Sequence, residues 1–359
     1  MQRYIPCHFM RGGTSRGPFF LASDLPAEIA IRDQVLLAVM GSPDARQIDG
    51  LGGGTGLTSK VGIVSVSAAA GVDLDFLFAQ VSVQEAKVDT TPNCGNMLAA
   101  ALPFALEKGL LKAQGETTTY RVRTVNTGTL ADITVCTPKA QNGQVRYDGE
   151  VAIAGVPGTA AAVDIAFCDT AGSVCGTLLP TGNTIDKVDG IAVTCVDNGM
   201  PVVVLRAQDL GVMGNESPAL LNQNTELKAK LEAIRCAIGP RMNLGEVSKK
   251  VVPKMCLISP PKAGGHVATR TFIPHECHSA IGVLGAVSVA TACALPGSVA
   301  EGIAKTCQDQ AFSLEHPTGE FSLHIEQEPG QIVPRSVKLV RTARVIMRGE
   351  VAIPAHIWK

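Results

Sequence analysis

Short runs rich in apolar and β-branched residues, separated by clusters of Gly, Pro, Asn and Asp, recur at residues 4–10, 18–22, 61–66, 74–83, 118–125, 131–136 and 145–153. Their length and composition predict strands. Two helical stretches interrupt them: residues 28–40, entered through Asp24-Leu25-Pro26, and an apolar run over 97–106 that begins at Cys94 and stops at Lys108-Gly109. The second half repeats the plan, with strand-like runs at 191–196, 202–206, 255–258, 267–272, 320–325 and 335–347. Its helices are a charged-faced one at 226–238 and an apolar one following His278, over 280–295. Strands that arrive in runs, without strict alternation with helices, predict an α+β fold in which many strands surround few helices.

The two apolar helices have similar entries. Pro92-Asn93-Cys94-Gly95-Asn96 leads into one and Pro274-His275-Glu276-Cys277-His278 into the other, with Cys94 and His278 separated by 184 positions, about half the chain. That spacing suggests a two-fold pseudo-repeat. The expected boundary lies between Thr177 and Asp189, where Pro180-Thr181-Gly182-Asn183-Thr184 reads as a linker. The domains are thus drawn as 1–183, carrying Lys60 and Cys94, and 184–359, carrying His278, with the last strand free to cross back to the first domain.

Composition narrows the function. The 359 residues include 31 basic and 32 acidic side chains and only 4% aromatics, which offers nucleic acid neither a charged footprint nor a stacking platform. Eleven cysteines, an odd number with no CxxC pair, fit reduced thiols better than a disulfide framework or a zinc site. With no apolar leader in Met1-Gln2-Arg3-Tyr4-Ile5-Pro6, and with the longest apolar helical run punctuated by Gly282, Gly285 and Ser288, the expectation is a cytoplasmic protein without a membrane span.

Cys94 stands where a helix begins, a position at which backbone amides and the helix dipole favour a thiolate and can hold a carboxylate. The competing reading is a small buried hydrophobe, the common fate of a free cysteine. Three segments rich in Gly and hydroxyl residues accompany it: Met10-Arg11-Gly12-Gly13-Thr14-Ser15, residues 50–60, and Val125-Asn126-Thr127-Gly128. Such loops let amides and hydroxyls approach an anion. The 50–60 segment is not a P-loop, since Lys60 follows Thr58-Ser59 and leads into a β-branched run. Lys60 is either a partly desolvated general base or a strand-end lysine turned to water. No HExxH, GxSxG or dinucleotide fingerprint occurs.

Taken together, Met-Arg-Gly-Gly-Thr-Ser at 10–15, Gly-Ser-Pro-Asp at 41–44, Gln-Ile-Asp-Gly-Leu-Gly-Gly at 47–53, Leu-Thr-Ser-Lys at 57–60, Thr-Pro-Asn-Cys-Gly-Asn-Met at 91–97, Asn-Thr-Gly at 126–128 and Gly-Glu-Val at 349–351 resemble the 2-methylaconitate cis/trans isomerase family. The likeness covers nearly the whole chain and points to the branch that tautomerises 4-oxalomesaconate in gallate breakdown. It implies a diaminopimelate epimerase-like fold: two similar domains, each a curved sheet or barrel around a central helix, with a cofactor-free, metal-free site in the cleft between them. It also implies a homodimer, and a cis/trans or 1,3-allylic isomerase of methylaconitate, methylitaconate or oxalomesaconate as the alternative activity. A non-catalytic carboxylate-binding module is the third reading, disfavoured by the presence of Lys60 and Cys94 together.

Carried over by position, the family's acid/base pair falls on Lys60 and Cys94. Arg11, Gly12, Gly13, Thr14 and Ser15 would bind substrate carboxylate with Asn93, Gly95 and Asn96, and Arg270, His278 and Ser279 would contribute from the far domain. In register with Cys94 the second half offers His278, so a two-thiol racemase is not expected and Cys277 is assigned to packing.

Overall fold

The computed structural model describes residues 1–305, 311–326 and 335–358. The chain divides into two compact units, 1–168 with 340–359 and 169–339. The break at Cys168/Asp169 corrects the boundary expected between Thr177 and Asp189. The supposed linker and its flanks are tied into the second unit, because Thr194 Oγ1 donates to Thr184 O at 2.8 Å, Asp197 N donates to Leu178 O at 2.9 Å and the short strand Asp186–Val188 pairs with Ile191–Asp197.

The first unit contains β1 (Gln2–Gly12), β2 (Ser15–Leu21), α1 (Ile29–Met40), β3 (Lys60–Val66), β4 (Leu74–Val81), β5 (Val88–Asp89), α2 (Gly95–Leu98), α3 (Ala101–Glu107), β6 (Thr117–Thr124), β7 (Leu130–Cys136) and β8 (Ala162–Phe167). Antiparallel hairpins β1–β2, β3–β4 and β6–β7 are joined side by side through parallel contacts of β2 with β3 and β4 with β6. The last strand of the chain, Ser336–Pro354, lies next to β8 and pairs antiparallel with β1 from Gln2↔Pro354 to Gly12↔Ala343, which closes the strands into a ring. Inside it, α2 packs on β1 to β4 and α3 on β3 and β7. Phe104 meets Phe19 at 5.7 Å, and Phe19 stacks on Phe76 at 6.3 Å. On the outer side, α1 buries Val35, Leu36, Val39 and Met40 against Phe20, Val61, Ile63 and Ile353. Adjacent Phe19 and Phe20 therefore serve opposite faces of one strand, and their combined burial explains why β2 reads as a continuous apolar run.

The predicted single helix over 97–106 is broken between Leu98 and Ala101. Pro103 supplies the reason. It has no amide hydrogen to give to the Ala99 carbonyl, and its ring crowds that carbonyl. Residues 145–153 form no strand beyond an isolated bridge, Val151↔Ala160.

The second unit holds β9 (Asp186–Val188), β10 (Ile191–Asp197), β11 (Pro201–Arg206), α4 (Pro218–Gln223), α5 (Thr225–Ile238), β12 (Lys254–Ser259), β13 (Val267–Phe272), α6 (Val283–Ala294), β14 (Ala311–His316) and β15 (Gly319–Glu326). Its order matches the first unit's: hairpins β10–β11, β12–β13 and β14–β15 linked by parallel β11–β12 and β13–β14 contacts, with an antiparallel last partner. In both units the central helix falls between the second and third hairpins, which is the pseudo-repeat anticipated from the two helix entries. α6 is buried along most of its length and packs on β10, β11, β14 and β15. It starts at Val283, not after His278. The residues before it are held by β13 instead, through His278 N to Thr271 O at 2.7 Å and a Phe272↔Cys277 bridge. Among the described residues no helix is long and apolar enough to cross a membrane.

Candidate active site

Lys60 opens β3 with only 8% of its surface exposed. Gly62 pairs with Phe78 and Lys60 with Gln80 across the β3–β4 hairpin, so the alternation of a strand puts these side chains on the face that also carries Phe19, toward the central helices. The Lys60 ammonium sits 4.8 Å from the centre of the Phe78 ring and donates to Gln80 Oε1. Gln80 is held in turn by its own amide, which donates to Ser59 O at 2.9 Å and Gly56 O at 3.2 Å. Behind it Gln47 Nε2 donates to Ser59 Oγ at 2.7 Å, and Ser59 Oγ to Val81 O at 2.8 Å. The glycine-rich segment thus supports the lysine through Gln47, Ser59 and Gln80.

Cys94 caps α2 in an extended conformation, and its carbonyl accepts from Leu98 N at 2.9 Å. Because α2 has only four residues before the break forced by Pro103, little macrodipole acts on the sulfur. The surrounding side chains carry more weight. Asn96 Nδ2 donates to Thr14 Oγ1 at 3.0 Å, tying the helix start to the β1–β2 turn. The turn fits against Asn96 only because Gly12 and Gly13 lack side chains: a Cβ on Gly12 would lie 2.3 Å from Asn96 O, and one on Gly13, at φ +52°, 2.2 Å from Asn96 Oδ1. Ser15 is buried, and its hydroxyl has no hydrogen-bond partner among the described residues. On the other side of Asn96, Arg341 Nε donates to Oδ1 at 3.1 Å. Burial lowers the Arg341 guanidinium to about 10, and the neighbouring Cys94 thiol works against that fall.

A chain of contacts connects the two candidate catalytic groups. Asn126 bonds to both main-chain groups of Phe78, at 2.9 and 2.8 Å, and to Thr90 O at 2.7 Å, while Asn93 Nδ2 donates to Thr127 Oγ1 at 2.5 Å. The Asn126-Thr127-Gly128 turn therefore positions the ring beneath Lys60 at one end and the residue before Cys94 at the other.

Arg11 is not brought to this group. Gly12 faces the central helix, so Arg11, its neighbour on the strand, faces outward, where its Nη1 donates to Gly13 O at 2.8 Å, Thr342 Oγ1 at 2.9 Å and Thr342 O at 3.1 Å. The inner-face arginine is Arg341, which sequence reading missed. Its only signal was period-two alternation in the last strand, where Arg341 and Ala343 share a face and Thr342 and Arg344 share the other. Gln80 was missed as well, because an isolated Gln in a strand carries no motif.

In the second unit, Arg270 is buried with Nε on Glu216 O at 2.7 Å and Nη1 on Thr269 O at 2.8 Å, and burial lowers its ionisation range. His278 is exposed and accepts from Ala280 N at 2.9 Å, while exposed Ser279 offers its carbonyl to Thr318 Oγ1 at 2.9 Å. Cys277 is buried in the core of that unit, its thiol pushed up to about 11 mainly by burial. Among the described residues no group of three or more His, Cys, Asp or Glu side chains is placed to hold a metal.

A 4-oxalomesaconate tautomerase of Pseudomonas putida is 56% identical over 359 residues, covering 99% of this chain and 98% of its own. A (4E)-oxalomesaconate Delta-isomerase of Novosphingobium sp. is 54% identical over 351 residues, covering 97% of each chain. The crystal structure of a methylitaconate-delta-isomerase superposes with a TM-score of 0.84 at 33% identity, covering 99% of this chain and 97% of that one. The expected α+β, diaminopimelate epimerase-like fold is thus the fold of this isomerase. A family model described as PrpF protein matches residues 2–354, and the chain belongs to the PrpF family.

Proposed function

We propose that this chain is a cofactor-independent isomerase that interconverts the keto and enol forms of 4-oxalomesaconate, with Lys60 and Cys94 as the acid/base pair. The observation that supports the reading is that a buried lysine amine, a cysteine at a helix start and a half-buried arginine beside that cysteine all lie on the inner side of one ring. The names of the two relatives more than half identical supply the substrate class.

An unsaturated keto-tricarboxylate has a carbon-bound proton acidified by conjugation. Its removal leaves a dienolate; reprotonation on oxygen gives the enol and on carbon the keto form. This transfer requires a base, an acid and a cradle for the developing charge. Lys60 and Cys94 exchange the proton, Arg341 pairs with a carboxylate, and the Ser15 hydroxyl with the amides of Gly95 and Asn96 supplies donors. Gly12, Gly13 and Thr14 shape the turn around Asn96, and Asn93 fixes the approach to Cys94.

A second reading, a 1,3-allylic double-bond shift, is supported by the fold shared with the methylitaconate-delta-isomerase. It uses the same groups and differs in the carbon that regains the proton. Proton NMR in deuterated buffer, with 4-oxalomesaconate in both forms and methylaconitate as substrates, separates the two. Interconversion confined to oxalomesaconate with deuterium at the tautomeric carbon supports the tautomerase; a migrated double bond moves the assignment to the allylic branch. Lys60→Ala and Cys94→Ala should each cost roughly 100-fold to 10,000-fold in turnover, and near-normal rates in either would remove that residue from the mechanism.

A further inference from the structure

We infer that the outer wall of the first unit carries a second binding site, one that takes a small polyanion whose carboxylate or phosphate oxygens bridge Arg11 and Arg344. A cavity of about 460 Å³ lies there, bordered by both arginines, Tyr147, Asp148 and Thr159. That is room for a ligand of a few carboxylate or phosphate groups.

The placement follows from strand geometry. Arg11 and Arg344 are directly paired across β1 and the last strand, so their side chains leave the same face, and it is the face away from Gly12, Asn96 and Cys94. The three acceptors held by Arg11 all take its Nη1. Its Nε and Nη2 have no hydrogen-bond partner among the described residues, nor does any side-chain nitrogen of Arg344. Asp148 borders the cavity but forms no ion pair among the described residues, and the Tyr147 hydroxyl is turned to Glu107 Oε1 at 3.4 Å. Two paired cations thus share one cavity with their forked donors unused. Burial lowers Arg11, and Arg344 lowers it further, the mark of like charges without an anion between them. A planar oxyanion answers both donor sets bidentately and removes the repulsion. Nothing in this depends on the chemistry proposed at Lys60 and Cys94, which lie on the inner side of the ring.

The test is calorimetric titration of citrate and, separately, inorganic phosphate into the full-length protein, Arg344→Gln and Asp148→Asn. Arg344 and Asp148 are exposed, so neither change threatens folding. The expected result is saturable binding to the wild type that weakens about tenfold or more in Arg344→Gln, in line with the loss of charge-assisted bonds, and tightens in Asp148→Asn. Turnover without added anion should be unchanged in both variants. A response confined to citrate assigns the site to carboxylates, and one confined to phosphate assigns it to phosphoryl groups. Equal affinity of the wild type and Arg344→Gln for both anions, including no measurable binding to either, overturns the proposal. Because the readout is binding without turnover, its failure is distinct from failure of the proposed reaction.

Discussion

Arg341 and Asn96 are joined by a 3.1 Å hydrogen bond from Nε to Oδ1, so a residue near the end of the chain sets the position of the side chain two places after Cys94. The same Asn96 grips Thr14 through its amide nitrogen at 3.0 Å. One asparagine therefore aligns three segments: the last strand, the β1–β2 turn and the helix start that carries the thiol.

Removing the cation while keeping shape should disable the site without unfolding it. Arg341→Gln is expected to lower kcat/KM for the tricarboxylate by about 10-fold to 100-fold, the range for a lost charge-assisted hydrogen bond. Arg341→Lys should recover only part of this, since a point charge does not reproduce the fork. Steady-state kinetics with the melting temperature of each variant decides the matter, and unchanged kinetics in Arg341→Gln would remove it from the site.

Gly13 is a position where a methyl group has nowhere to go. Its φ of +52° disfavours any side chain, and the new Cβ would fall 2.2 Å from Asn96 Oδ1. Gly13→Ala should lose most activity and melt several degrees lower, whereas Gly71→Ala, at φ +72° with open space around it, should show the backbone cost alone. Thermal melts and turnover of the pair separate strain from collision.

Gln80 acts through Lys60. Gln80→Leu keeps approximate volume but takes away the acceptor on the ammonium and the anchor to Ser59 O. We expect kcat to fall by about tenfold with little change in KM, because the amine is mispositioned while carboxylate binding is intact. A rise in KM alone would assign Gln80 to binding.

His8 makes stability depend on pH. It is buried edge-on to Phe104 at 5.3 Å, its Nδ1 has no hydrogen-bond partner among the described residues, and burial with Lys108 and Arg348 nearby lowers it from 6.5 to about 4. The unfolded chain binds this proton more readily than the folded one, so the contribution of neutral His8 is complete above pH 6.5 and is lost as pH falls toward 4. The melting temperature should decline across that window in the wild type and less steeply in His8→Phe. Parallel profiles would show that other groups dominate.

The sequence by itself determined the strand-rich α+β character, the two helix entries and the family, because these rest on local pattern: period-two alternation, apolar runs, proline and glycine punctuation, and motifs in a fixed order. It also singled out Lys60 and Cys94 as candidates, since each stands at the edge of a regular element. The tertiary structure decided everything that depends on which face a residue occupies and what lies across from it. The family resemblance implied that Arg11 holds substrate carboxylate with the amides of Gly95 and Asn96, yet alternation along β1 turns it outward and the closing strand brings Arg341 to the inner face instead. The domain boundary was expected between Thr177 and Asp189, with residues 180–184 as the linker, but hydrogen bonds such as Asp197 N to Leu178 O draw this stretch into the second unit, and residues after 339 return to the first. The bond from Arg341 to Asn96 spans 245 positions, and no local propensity encodes it.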